Sequence, residues 1–251
     1  MTSVVLSGRP GGTTHRAVDV LARLPVELRL IGGLAVMCRV GVPHRATVDL
    51  DAVTRGLAEQ DATLSGLAVT APGGGQYRFD NDLELDVIDV APQDAGSLAE
   101  ELALAGPLTD LELNIVAHAW AHDRATTLDL LVINEDGGAP LASALDRMVA
   151  SAGGLVAMKA TTVPLRASAR PEKRASDLYD LGRLIVRTAT LPDELSSLPP
   201  LVRGPVLDRL MQWFVDPGGR DRTYREARRF DDPPLDLDAI ADAIEDLTAT
   251  T

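Results

Sequence analysis

Cysteine is nearly absent from this 251-residue chain, and its one example, Cys38, excludes an internal disulfide framework. Aromatic residues make up 3% of the sequence against 45% hydrophobic residues in all, so the core has to be aliphatic, built from Leu, Val and Ala. No apolar run approaches the ~18 residues needed to cross a bilayer. The start, Met1-Thr2-Ser3-Val4-Val5-Leu6, has neither the basic residues nor the long apolar stretch of a secretion signal. A cytoplasmic protein without a membrane partner is expected. Lysine is scarce too: Lys159 and Lys173 are the two among 24 basic residues. A formal net charge of −13 argues against unspecific coating of nucleic acid.

What charge there is lies unevenly. Residues 1–150 hold 10 arginines against 21 acids, whereas residues 151–230 hold 14 basic residues against 9 acids. The last stretch, 231–251, has 7 acids and no base. An acidic half suited to a metal ion and a basic half suited to phosphates fit this division.

The most informative stretch runs from Val26 to Asp51. Val26-Glu27-Leu28-Arg29-Leu30-Ile31 reads as a strand running into Gly32-Gly33, and Leu34 to Val40 as the helix that follows. Glycine permits a sharp bend and leaves room for a phosphate against main-chain N–H groups. A helix N-terminus at that bend favours anions. Farther on, Thr47-Val48-Asp49-Leu50-Asp51 alternates polar and apolar, so on a strand Asp49 and Asp51 share a face. Two adjacent carboxylates repel unless a cation lies between them, and their hard oxygens suit Mg²⁺ or Mn²⁺. A phosphate cradle followed by a carboxylate pair is apparatus for nucleotidyl transfer.

Gly32-Gly33-Leu34-Ala35-Val36 followed by Arg45-x-Thr47-x-Asp49-Leu50-Asp51 resembles the AbiEii/MenT-type branch of the DNA polymerase β-like nucleotidyltransferase superfamily. A second block, Lys159, Arg166 and then Lys173-Arg174-x₂-Asp177-Leu178-Tyr179-Asp180-Leu181, is similar to that branch's later pattern. Here Ala175-Ser176 separates the basic pair from Asp177, where the family commonly has a basic residue directly before its aspartate. The resemblance implies an α/β fold, a polymerase β-like mixed sheet flanked by helices, plus a C-terminal helical domain. It implies a nucleotidyltransferase domain with the metal site over 1–150, and a helical domain over 151–251 completing the nucleotide and acceptor cleft.

The same resemblance assigns roles. Asp49 and Asp51 hold Mg²⁺ or Mn²⁺ with a third carboxylate from a neighbouring strand, for which Asp86 is chosen and Glu84 and Asp89 are rivals. Gly32, Gly33, Arg45, Thr47 and Lys159 meet the phosphates of an NTP substrate, and Asp177 helps build the site. The implied activity is an NTP-dependent, two-metal nucleotidyltransferase. It moves NMP to RNA, by analogy the tRNA 3′ end, as the toxin of a toxin–antitoxin pair with a cognate antitoxin protein. Transfer to a small molecule or a protein stays open, as does a silent regulatory relative.

Elsewhere the pattern predicts irregular chain over 1–12, helices over His15–Leu24, Arg55–Ser65 and Ser97–Ala105, and strands over Gln76–Phe79, Leu83–Val90 and Thr127–Ile133. Pro140–Ser151 reads as a helix with Leu141, Leu145 and Met148 inward, and 188–251 as all-helical. His118 and His122 share a helical face as some metal ligands do, but no third ligand stands at a recognisable spacing, so they read as partly buried histidines. Arg220, Arg222, Arg225, Arg228 and Arg229 suit phosphate contact, or equally a solvated helix face.

Overall fold

The computed structural model describes residues 2–41, 49–166, 170–230 and 233–249. Its contacts divide it into two compact units, Met1–Pro92 with Arg124–Ser151, and Gln93–Asp123 with Ala152–Thr251.

The first unit begins with β1 (Thr2–Gly8), α1 (Thr13–Arg23), β2 (Arg29–Ile31), α2 (Gly32–Val40) and β3 (Asp49–Thr54). It continues through α3 (Leu57–Leu67), β4 (Thr70–Gly73), β5 (Gln76–Arg78) and β6 (Glu84–Asp89). Among the described residues, α4 (Ala95–Ala103) and α5 (Asp110–Asp123) then belong to the second unit, before β7 (Thr126–Asn134) and β8 (Pro140–Val149) return to the first. Among the described residues, eight strands form one mixed sheet in the order β1-β7-β8-β2-β3-β6-β5-β4. β3 lies inside that sheet, antiparallel to β2 and parallel to β6, so its backbone groups are paired on both sides. Leu50 and Ala52 on one face and Val53 on the other are buried. On α1, Ala17, Val18, Val20 and Leu21 make the buried stripe that the sequence predicts.

The second unit adds α6 (Ala152–Arg166), α7 (Pro171–Arg187), α8 (Leu191–Ser196), α9 (Pro200–Phe214), α10 (Pro217–Ala227) and α11 (Leu237–Ala249). Proline stands at the first or second position of α7 to α10, where its missing N–H has no helical partner to lose. Pro164 lies inside α6 instead and leaves the carbonyl of Ala160, four residues back, without its usual donor. The Arg209 guanidinium from α9 donates to that oxygen at 3.2 Å. No helix among the described residues is long and apolar enough to cross a membrane.

Three expectations from the sequence need correcting. Residues 2–8 are not irregular but form β1, paired in parallel with β7, because that partner is remote in sequence and leaves no local trace. Residues 140–149 form β8, not a helix: the strand pairs with β7 and β2, a register shift opposite Leu128–Leu130 interrupts its alternation, and Leu145 is exposed. Helices α4 and α5, which chain order groups with the first 150 residues, pack in the helical unit, α5 chiefly against α6.

The approach of α10 to α9 depends on one glycine. A Cβ on Gly219 would lie 1.6 Å from the Gln212 carbonyl oxygen, a main-chain atom that cannot swing aside. Gly219→Ala is therefore expected to cost roughly 1–3 kcal/mol by forcing the helices apart. Denaturant unfolding of the full chain measures it.

Candidate active site

The site in the first unit starts from a glycine. Gly32 has φ +70°, and a Cβ there would stand 2.0 Å from Oδ2 of Asp51 and 2.8 Å from its Cβ. The register supplies the reason: Ile31 at the end of β2 pairs with Asp51 on β3. The Asp51 carboxylate thus occupies the volume a side chain at position 32 would fill. α2 begins at this same residue, with extended Ile31 as its cap, no side-chain capping bond and no acid in its first turn. Its leading N–H groups are therefore of the kind that receive an anion. Gly33 follows as a buried residue of that first turn.

Asp49 and Asp51 lie two residues apart on β3, both half-buried, with buried Leu50 turned to the other face. On the neighbouring parallel strand, Asp51 pairs with Asp86 and Asp49 with Glu84. The three rivals for the third carboxylate thereby separate. Glu84 forms an ion pair with Arg78 at 3.1 Å. Asp89, an odd number of residues from Asp86 and so on the opposite face, accepts the N–H groups of Gly56 (3.0 Å) and Leu57 (3.2 Å) at the start of α3. Asp86 is half-buried, borders a cavity of about 250 Å³ with Gln76, Arg78 and Glu84, and stands beside Asp51. Arg45 and Thr47, expected at the nucleotide, lie outside the described residues.

Among the described residues no group of three or more His, Cys, Asp or Glu side chains is close enough to hold a metal ion by itself. That is compatible with the donor set. Mg²⁺ characteristically takes one or two carboxylates and completes its octahedron with water and substrate phosphates. An acid pair with a third acid alongside, next to an uncapped helix start, fits such a shared arrangement. Cys38, on α2, takes no part: burial pushes its thiol up to about 12.

The second unit holds a different cluster. Residues 152–161 of α6 are all buried, so the Lys159 ammonium is largely withdrawn from water and has to be neutralised inside the protein. Asp177 and Asp180, three residues apart on one face of α7, each approach it at 2.8 Å. Arg166 adds a bond of 2.5 Å to the second oxygen of Asp177. Two cations and two carboxylates therefore balance, with Lys159, Asp177 and Asp180 almost entirely shielded. Lys159 and Asp177, picked out separately from the sequence, are brought into contact. Asp180 was not assigned a role beforehand, although its i, i+3 spacing from Asp177 was the available signal. His118 and His122 stay apart from this chemistry: His118 holds the Asn114 carbonyl at 2.7 Å, with burial lowering its pKa, and His122 lies 3.4 Å from Asp123.

Removing the lysine would take a cation from between two buried carboxylates. Lys159→Met is expected to destabilise the chain by about 3–5 kcal/mol. Adding Asp177→Asn and Asp180→Asn to it should recover much of that loss. Urea denaturation of the single and triple variants checks both.

The family model for the nucleotidyl transferase AbiEii toxin of Type IV toxin–antitoxin systems matches residues 18–246. No curated protein and no solved structure matches the chain. The matched span includes the Gly32 bend, the acid-bearing strands β3 and β6, and the helices that carry Lys159, Asp177 and Asp180. On that match, which covers far more than half of its length, the chain belongs to the AbiEii nucleotidyl transferase toxin family.

Proposed function

We propose that this chain transfers NMP from an NTP to the 3′-terminal hydroxyl of tRNA, acting as the toxin of a toxin–antitoxin pair. The observation that carries the reading is the contact of the Asp51 carboxylate with the Gly32 bend, where a phosphate cradle and an acid pair meet. Gly32 and Gly33 receive the β- and γ-phosphates on main-chain N–H groups at the start of α2. Asp49 and Asp51, joined by Asp86, would hold Mg²⁺ or Mn²⁺, whose contribution here is neutralisation of phosphate charge.

Asp86, next to Asp51 in the sheet, accepts the proton of the attacking hydroxyl. The hydroxyl oxygen bonds to the α-phosphorus, the α–β bridging bond breaks, and pyrophosphate leaves. The chain's part in this is positioning and electrostatic complementarity, with little covalent chemistry of its own. Arg45 and Thr47 are included in the reading as the family pattern's further nucleotide contacts, while Lys159 and Asp177 are engaged with each other inside the second unit. A cognate antitoxin protein completes the pair.

The test is transfer of labelled nucleotide from each of the four NTPs to purified tRNA, with Mg²⁺ or Mn²⁺, beside protein and aminoglycoside acceptors. Asp49→Asn and Asp51→Asn should each lower the transfer by on the order of a hundredfold or more while the chain stays folded. Transfer unchanged in both variants would overturn the mechanism. Labelling of protein or aminoglycoside in place of tRNA would overturn the acceptor.

A further inference from the structure

The helical unit contains an open basin of about 860 Å³ whose wall is rich in arginine and holds no lysine. Arg174 comes from α7, Arg209 from α9, and Arg222 and Arg225 from α10, with Arg229 just beyond its end. Residues 222, 225 and 229 recur at helical spacing, while Thr223 and Ala227 take the buried side of α10.

The arginines divide into two sets. The inner two are built into the wall: Arg174 bonds Glu226 at 2.8 Å and lies 5.9 Å from the Trp213 ring centre. Arg209 bonds Asp110 at 2.5 Å and caps the Ala160 carbonyl exposed by Pro164. These pairings use both acids of the basin, Glu226 and Asp110. The outer set is exposed and otherwise directed. Among the described residues Arg222 and Arg225 have no carboxylate partner, and Arg229 reaches Glu172 only at 4.0 Å. The basin therefore carries uncompensated positive charge at its rim, in a chain whose formal net charge is −13.

We propose that this basin binds the phosphodiester backbone of the acceptor RNA. Planar guanidinium forks match phosphate oxygens in pairs, and three exposed arginines spaced along α10 and just past its end suit a run of phosphates better than one ion. The acidic remainder of the chain repels a polyanion, so RNA is held where the cations are concentrated. The naming of RNA as the source of the phosphates rests on the nucleotidyl-transfer reading; the anion-binding basin itself does not.

The experiment is fluorescence anisotropy of a labelled single-stranded RNA with the full chain across a salt series. Arg222→Ala with Arg225→Ala should weaken binding roughly tenfold at low salt and make the log affinity against log salt slope shallower by about 1.4. Arg187→Ala, on α7 outside the basin, should leave both unchanged. Thermal melting confirms that the variants fold, and Mg²⁺-dependent NTP binding should be the same in all of them. Undiminished RNA binding in the double variant, or an equal loss in Arg187→Ala, would overturn the inference while leaving the transfer reading intact. Competition by polyglutamate as strong as that by RNA would also overturn it, in favour of an acidic protein occupant. Absence of Mg²⁺-dependent NTP binding by the native protein would strike the transfer reading and with it the acceptor role, while the basin's RNA binding and its salt slope would still stand or fall on the arginine variants.

Discussion

A carboxylate occupying the space of a missing side chain is the contact on which the proposed nucleotide site depends. Three local facts produce it: β2 ends at Ile31, the next residue takes a positive φ that favours glycine, and the antiparallel register sets Asp51 opposite. Because β3 is held by main-chain bonds on both edges, Asp51 cannot shift along the strand without moving Leu50, Ala52 and Val53 out of the core. The same register brings Asp86 alongside. The rigid sheet thus fixes acids whose mutual repulsion would otherwise spread them.

The helical unit meets the opposite problem, a cation in an aliphatic interior. Apolar packing around α6 would exclude Lys159, were it not for two carboxylates at 2.8 Å supplied by one face of α7. The pairing makes Lys159 a structural element of the helical unit, so any effect of its removal includes a loss of stability. A lysine-to-arginine exchange keeps the charge but changes the donor geometry from a compact ammonium to a planar fork. Arginine does the remaining electrostatic work, inside the unit on Glu226 and Asp110 and at the rim of the basin.

The parts of this structure that were legible in the sequence are those with a short-range signature. The bend at Gly32, the shared face of Asp49 and Asp51, the β5–β6 pair and the α1 stripe all follow from periodicity and turn chemistry within a few residues. What was missed depends on remote partners. β1 looks like irregular chain beside Pro10 and Gly11 until β7 pairs with it, and Leu141, Leu145 and Met148 mimic a helical stripe although β8 is a bulged strand. Strand register and the partners of Glu84 and Asp89, which support the proposal of Asp86 as third carboxylate, are likewise invisible in the sequence. Asp180 needed the three-dimensional meeting of α6 and α7.

Calorimetric binding of Mg²⁺–NTP to the native chain and to Gly32→Ala tests the central contact most directly. The added methyl group contests the position of the Asp51 carboxylate and strains the left-handed backbone at residue 32. Clear binding by the native chain and its loss in the folded variant is the predicted result. Equal binding by both would contradict the account.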